Sequence, residues 1–316
     1  MSGRRIFIVG SYATGLTMRV SRLPGPGETL LAKGYRVDFG GKGSNQAVAC
    51  ARLGANVSFI AKIGRDDFGE MALGLHRREK VDIDSVIQVR DQPTGVGFII
   101  VDAQGNNCIT IDPGANDLLT GEEVSQGLKT LTPEAVVLTQ LEIPVEAAGA
   151  AMAGGREKQA LTILNPAPAR TLPDSVLRLV DVLTPNQSEA KVLVGHSPDA
   201  ALEPEAAARD LLRRGVKQVV ITLGENGAFV ATANSSLHIP ALKVSAEDTT
   251  GAGDSFNAGL AVALSRGEKL EDAVRFAVVT GGLAVTREGV VPSLPTRNEV
   301  LHFYRHQGQT PPIWLA

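Results

Sequence analysis

Short apolar runs rich in β-branched residues recur along the chain, at Ile6–Val9, Val57–Ile63, Ala135–Leu138, Ala160–Leu164, Val180–Leu183 and Val219–Leu223. Unbroken apolar runs of this length suit strands buried on both faces. Between them the apolar positions return at helical spacing, over Ser44–Leu53, Phe68–Glu79, Val145–Arg156, Asn186–Val194 and Glu203–Arg214. The last third is mostly helical, at Ala252–Arg266, Leu270–Val285 and Thr296–His306. Strands alternating with helices predict βαβ units, hence an α/β fold with a mainly parallel sheet covered by helices on both faces. Residues 12–38 and 94–112 break that rhythm with strand-like alternation and turn residues. Within the second, Gly105-Asn106-Asn107 separates Val96–Val101 from Cys108–Ile111, as a hairpin turn does. Both stretches read as a small β-rich lid on the α/β body, and residues 1–316 as one domain without a linker. The tail Gln307–Ala316, with Pro311-Pro312, reads as a loosely held end with Trp314 exposed.

Composition narrows the function classes. The 316 residues are 43% hydrophobic and 21% charged, enough apolar material for a sizeable core. A net charge of −3 supplies no basic field for nucleic acid, and 4% aromatic residues argue against a base-stacking groove. No apolar run approaches the ~18 residues of a membrane span. Ile6–Val9 is too short for the core of a signal peptide, and two cysteines make no disulfide framework. A cytoplasmic protein is the expectation.

Four segments carry candidate chemistry. In Asp248-Thr-Thr-Gly-Ala-Gly-Asp254, the small residues Gly251, Ala252 and Gly253 lead into an apolar helix. Small residues let backbone amides approach a ligand, and a helix N-terminus adds partial positive charge, so an anion hole for a phosphoryl group is one reading. Asp254 in the first turn can take the proton of an attacking hydroxyl. A Gly-rich turn capping a helix is the other reading. Gly40-Gly41-Lys42-Gly43-Ser44-Asn45-Gln46 opens a second helix; Asn45 can donate and accept as a sugar hydroxyl requires. Lys42 is followed by Gly, so this is no Walker A loop. In Thr184-Pro-Asn186-Gln-Ser-Glu189, Asn186 and Glu189 offer hard oxygens for Mg²⁺, or equally a helix capping box. The loop Thr222-Leu223-Gly224-Glu225-Asn226-Gly227 suits nucleotide phosphates or a plain hairpin. Gln140-Leu-Glu142 and Asn165-Pro-Ala-Pro168 follow predicted strands, where open α/β sheets bind ligands. Glu142 is a sugar-contact candidate there, or a solvated loop acid. His302 and His306, four apart, read as a surface pair rather than a metal site. The first strand–helix turn lacks Gly-x-Gly-x-x-Gly, which weighs against a nicotinamide-dependent oxidoreductase.

Taken together and in this order, the segments resemble the ribokinase-like (PfkB) family of carbohydrate kinases over roughly residues 5–305. Gly40–Ala47 and Asp248–Phe256 look like its two signatures, and Pro26-Gly-Glu-Thr29, Asn165–Pro168, Thr184–Asn186 and Ala284-Val-Thr-Arg287 add to the match. The resemblance implies a ribokinase-like three-layer sandwich with a β-sheet lid that closes on the sugar. It implies an ATP-dependent kinase acting on a primary hydroxyl, with ribose or a related sugar as substrate. Asp254 would be the base, and Gly251, Ala252 and Gly253 the anion hole. Gly41, Lys42, Gly43, Asn45, Glu142 and Asp254 would contact sugar. Asn186, Thr222, Leu223, Gly224, Glu225, Asn226, Gly227 and Gly253 would contact ATP, with Glu189 associated indirectly with Mg²⁺. A K⁺ ion would sit at Asp248, Thr250, Ala284, Arg287, Gly289 and Ser293, Arg287 giving only its carbonyl. Lids of such proteins pair into a homodimer.

One departure stands out. The family's ribose-specific members carry Asn-x-Asp after the first strand, and the Asp holds two ribose hydroxyls; this chain has Ala13 and Gly15. A lost hydrogen bond to a charged partner costs about 1.5–3 kcal/mol. A kinase for another sugar or for a nucleoside is therefore the alternative, and Asp38 is the residue placed to compensate. A non-catalytic sugar-binding protein on the same fold is the alternative of another class; it predicts loss of Asp254 or of the anion-hole glycines, and both are present.

Overall fold

The computed structural model describes residues 3–315; Met1, Ser2 and Ala316 lie outside the described residues. The strands, in chain order, are β1 (Ile6–Val9), β2 (Ala13–Arg19), β3 (Tyr35–Gly40), β4 (Val57–Gly64), β5 (Asp82–Val89), β6 (Gly95–Val101) and β7 (Asn107–Asp112). They continue with β8 (Val136–Thr139), β9 (Leu161–Leu164), β10 (Val182–Leu183), β11 (Gln218–Thr222), β12 (Ala228–Thr232) and β13 (Ser236–Ile239). Nine form one sheet in the order β13-β12-β11-β10-β9-β8-β1-β4-β5, parallel from β5 through β11 and antiparallel in the last two pairs. The other four form a smaller sheet, β3-β2-β6-β7, in which only β2 and β6 run parallel.

The helices are α1 (Lys42–Arg52), α2 (Asp67–Arg78), α3 (Gly121–Gly127), α4 (Val145–Glu157), α5 (Asp174–Leu177) and α6 (Gln187–Leu193). They are followed by α7 (Pro204–Arg213), α8 (Ala252–Ser265), α9 (Leu270–Ala284), α10 (Val290–Ser293) and α11 (Arg297–His306). Strand alternation sorts them into layers. Ile6 and Ile8 point into a core shared with α1, α8, α9 and α11; Phe7 and Val9 point into a second core with α3, α4, α6 and α7. Two apolar faces on one sheet force a helix layer on each side, so the expected three-layer α/β sandwich is the one observed.

The smaller sheet matches the stretches that broke the helical rhythm, with β3 running two residues past position 38. The Gly105 turn closes a hairpin, Asp102 N–H donating to Asn106 O at 2.9 Å. The tail differs from expectation. Trp314 is half-buried, edge-on to Phe276 with ring centroids 4.9 Å apart, and its indole N–H donates to Glu268 at 2.9 Å. Leu315 is buried, its carbonyl accepting from Arg297 at 3.0 Å. Aromatic burial holds this end despite its two prolines.

Candidate active site

Strand order reverses at β1: the chain leaves it toward β4 on one side, and from β8 toward β9 on the other. The crevice at the carboxyl ends of β1 and β8 is where such sheets bind ligands. Helix α1 starts over that crevice from Gly41, whose φ of 85° favours glycine. Its first turn sits directly on the β1 exit: a Cβ on Gly43 would lie 2.5 Å from Ser11 N and 2.6 Å from Gly10 C. Glu142, just after β8, binds both segments, accepting from Ser11 Oγ at 2.6 Å and from Lys42 N–H at 2.8 Å.

Asp254 faces this junction from the first turn of α8. The helix opens at Gly251, left-handed at φ 83°, where a Cβ would meet Val290 at 2.9 Å. First-turn amides have no intrahelical partner. That of Ala252 makes a long 3.3 Å bond to Thr249 O, while Gly253 is exposed with open space above its Cα. The Asp254 carboxylate is buried and accepts from Asn45 Nδ2 at 2.9 Å and Gln46 Nε2 at 3.0 Å. Burial pushes its carboxyl up; the Lys42 ammonium and the two amides pull back without restoring it. Lys42 is pulled down by burial, but Asp254, Glu142 and Glu189 outweigh that and raise it. Burial likewise raises Glu189. One cation thus stands among three carboxylates at the mouth of a helix N-terminus.

Asn186 and Glu189 form a reciprocal capping box on α6: Asn186 N–H donates to Glu189 Oε2 and Glu189 N–H to Asn186 Oδ1, both at 2.8 Å. This leaves Glu189 Oε1 for water or an ion. Asn186 also bridges Thr222, bringing those two candidates together. The loop beyond is a hairpin, with Leu223 N–H to Gly227 O at 2.7 Å and Gly224, Glu225 and Asn226 exposed at its tip. Behind α8, Asp248 accepts from the N–H groups of Thr250 at 2.9 Å and Gly289 at 3.0 Å, joining two loops. Those bonds outweigh burial and hold its carboxyl below the ordinary range. Ala284 and Ser293 are buried beside them. The Arg287 guanidinium turns to Glu299 at 2.7 Å and to Ser293 O at 3.3 Å. The rings of His302 and His306 meet at the surface, tilted by 36° with centroids 3.8 Å apart. Among the described residues no group of three or more His, Cys, Asp or Glu converges to hold a metal.

Residues 4–297 match the model of the pfkB family carbohydrate kinases. The chain belongs to this family. A Haemophilus influenzae ribokinase is 36% identical over 303 residues, 96% of this chain and 99% of that protein. A Salmonella typhi deoxyribokinase is 34% identical, over 92% of this chain and 95% of its own length. The solved structure of Arabidopsis thaliana ribokinase complexed with ribose and ATP matches with a TM-score of 0.86 and 30% identity, covering 96% of this chain and 98% of that one. The chain is accordingly an ATP-dependent sugar kinase of the ribokinase type.

For this pfkB kinase the candidate site also brings together residues to which the motifs assign no role. Ser11 has no motif context. Gln46, Gln140 and Asn165 lie within or beside quoted segments, yet nothing in their spacing shows that their amides meet. Gln140 Nε2 donates to Gln46 Oε1 at 2.6 Å, and Gln46 Nε2 donates to Asn165 Oδ1 at 3.1 Å. Asp38, placed to compensate for Gly15, is instead tied to Arg36 Nε at 2.6 Å.

Proposed function

We propose that this kinase transfers the γ-phosphoryl group of ATP to a sugar's primary hydroxyl, with Asp254 as the base. The observation that carries it is the Asp254 carboxylate itself, buried at the start of α8, bonded to two amides and close to Lys42. The hydroxyl gives its proton to Asp254, its oxygen bonds to the γ-phosphorus, and the bond to the bridging oxygen breaks to release ADP. The Gly251–Ala252–Gly253 turn receives the charge spreading over the phosphoryl oxygens, with Lys42 protonated beside it. Gly41, Gly43, Asn45 and Glu142 hold the sugar; Asn186 and the 222–227 hairpin hold the nucleotide. Glu189, with one oxygen uncommitted, fits a water-mediated contact to Mg²⁺, which would neutralise phosphate charge. Asp248, Thr250, Ala284, Arg287, Gly289 and Ser293 fit a K⁺ site through carbonyls and one carboxylate. We take the smaller sheet to be a lid over one domain, and the lid to pair in a homodimer. An exposed free thiol at Cys108 fits a reducing, cytoplasmic setting.

A second reading concerns the sugar. Ala13 and Gly15 pair with Gly95 and Gly97 on β6, so at these four positions one face of the smaller sheet carries nothing larger than a methyl group. A Cβ at Gly15 would have only ordinary contacts, 3.6 Å to Ile99 and 3.7 Å to Asp38. That hollow favours a sugar lacking the hydroxyl an acid would hold there, or one bulkier at that point. Ribokinase and deoxyribokinase relatives match almost equally, so whole-chain similarity does not choose.

The test measures ATP consumption, with Mg²⁺ and K⁺, against ribose, 2-deoxyribose, other pentoses, fructose and nucleosides. A sugar other than ribose should give the highest kcat/KM. Ribose leading the panel, with Gly15→Asp bringing no gain, would sink the second reading. Asp254→Asn should lower kcat by about 10²–10⁴ with ATP binding unchanged; near-normal turnover removes Asp254 as the base.

A further inference from the structure

Behind the reacting face of Asp254 lies a chain of buried amides built from the ends of neighbouring strands. Gln140 follows β8, Asn165 follows β9 and Thr184 follows β10; Gln46 comes from α1 and Asn257 from α8. Gln140 Nε2 donates to Gln46 Oε1 at 2.6 Å. Gln46 Nε2 spends its hydrogens on Asp254 Oδ1 at 3.0 Å and Asn165 Oδ1 at 3.1 Å. Asn165 Nδ2 donates to Thr184 O at 3.1 Å, Thr184 Oγ1 to Asn257 Oδ1 at 2.5 Å, and Asn257 Nδ2 to Gly253 O at 2.8 Å. The chain thus leaves the Asp254 carboxylate and returns to the backbone one residue before it.

The bonds to Asp254 and to Asn165, whose own amide is set by Thr184 O, allow only one orientation of the Gln46 amide; Gln140, whose Oε1 is buried without a partner, adapts to it. Turned over, the Gln46 oxygen would face the carboxylate and Asn165 Oδ1. Burial makes either mismatch costly. Gln46 and Gln140 are wholly shielded from solvent, so water cannot substitute. Room for Gln140 comes from Gly10, where a Cβ would lie 2.2 Å from Gln140 Oε1.

We propose that Gln46, locked by Asn165 and buttressed by Gln140, is a positioning residue that holds Asp254 Oδ1 from behind and keeps the carboxylate ionised, so that Oδ2 is the oxygen presented to the sugar hydroxyl. The inference rests on Asp254 being the base, as proposed above. Oδ2 is bonded to Asn45, the amide on the sugar side. The charged groups facing Asp254 are Lys42 on α1, Glu142 after β8 and Glu189 on α6. Lys42 favours its charge and the other two oppose it, so a donor with fixed direction has a defined task.

The experiment is the pH profile of kcat/KM for the best sugar, on the intact protein, with thermal melting as a check of folding. Replacing Gln46 by Met keeps volume and removes the donor. The acid limb should move to higher pH by about one unit or more. On the alkaline plateau kcat should stay within about tenfold of the parent, with KM for ATP unchanged. If Gln46→Met fails to fold, Gln140→Met reads the same quantity and should move the limb the same way by a smaller step. A fall in kcat that is equal at every pH, with the limb unmoved in the folded variant, overturns the proposal. Asp254→Asn separates the two failures. If it turns over normally, the base reading falls and takes this one with it. If it is inactive while the Gln46 and Gln140 variants keep the parent limb, only the positioning role falls.

Discussion

His76 shows what one buried titratable group does to this fold. Its ring stacks on Phe59, with centroids 4.7 Å apart, and burial pushes its pKa from 6.5 down to about 4. The neutral ring donates from Nδ1 to Ala72 O at 2.8 Å and accepts from Ser44 Oγ at 3.2 Å, on the helix that carries Lys42 and Asn45. The folded state therefore resists a proton that the unfolded chain accepts. Stability from this group is complete above pH 6.5 and is lost as pH falls from 6.5 toward 4, by about 3 kcal/mol in all. His76→Gln should flatten the fall of Tm between those pH values relative to the parent, measured by calorimetry; parallel curves would rule this out. At this scale the sequence is legible where a side chain has distinctive chemistry in a distinctive setting. Asp254, Lys42 and Asn45 stand in Gly-rich segments and were readable. Ser11, Gln46 and Gln140 were not, because their importance lies in partners 131, 208 and 94 positions away.

Among elements, periodicity identified the buried strands and long helices because burial on two faces leaves unbroken apolar runs. Periodicity does not reveal the edge strands β5, whose residues Asp82–Val89 are only half-covered, and β13, nor the short helices α3, α5 and α10. It also left open whether 222–227 was a ligand loop or a turn, and the hydrogen bonds make it a hairpin tip whatever it binds. The loops behind α8 have a consequence for ions. Asp248 joins them through Gly289 N–H, and the next residue back, Glu288, is shared by two arginines of the smaller sheet. Arg19 Nη2 reaches it at 2.8 Å and Arg36 Nη1 at 3.1 Å. An ion seated among these carbonyls would order the turn in front of it without touching sugar. Exchanging K⁺ for Na⁺ at constant ionic strength should slow turnover several-fold with KM for sugar little changed; equal rates in both salts would exclude the site.

For the molecule as a whole, the reversal of strand order at β1 explains why the candidate site assembles from α1, the ends of β8 to β10 and α8. That much follows from an alternating α/β pattern, whereas the proposed pairing of two copies through the smaller sheet does not. By register, Met18, Tyr35, Val37 and Phe98 share one face of the smaller sheet, and all are exposed. Apolar side chains grouped this way favour a second copy as cover. Phe98→Glu should convert a dimer into a monomer in sedimentation, and a parent protein that is itself monomeric would end the proposal.

The docked tail gives the protein a built-in optical reporter. Trp314 is the chain's one tryptophan, and it is pinned between Phe276, Glu268 and the Arg266 guanidinium, 5.8 Å above its ring. Emission from this indole reads the attachment of the last residues to α9. Release of that end would shift the fluorescence to the red, so whether the tail lets go with the sheet or apart from it can be read in one cuvette without any label.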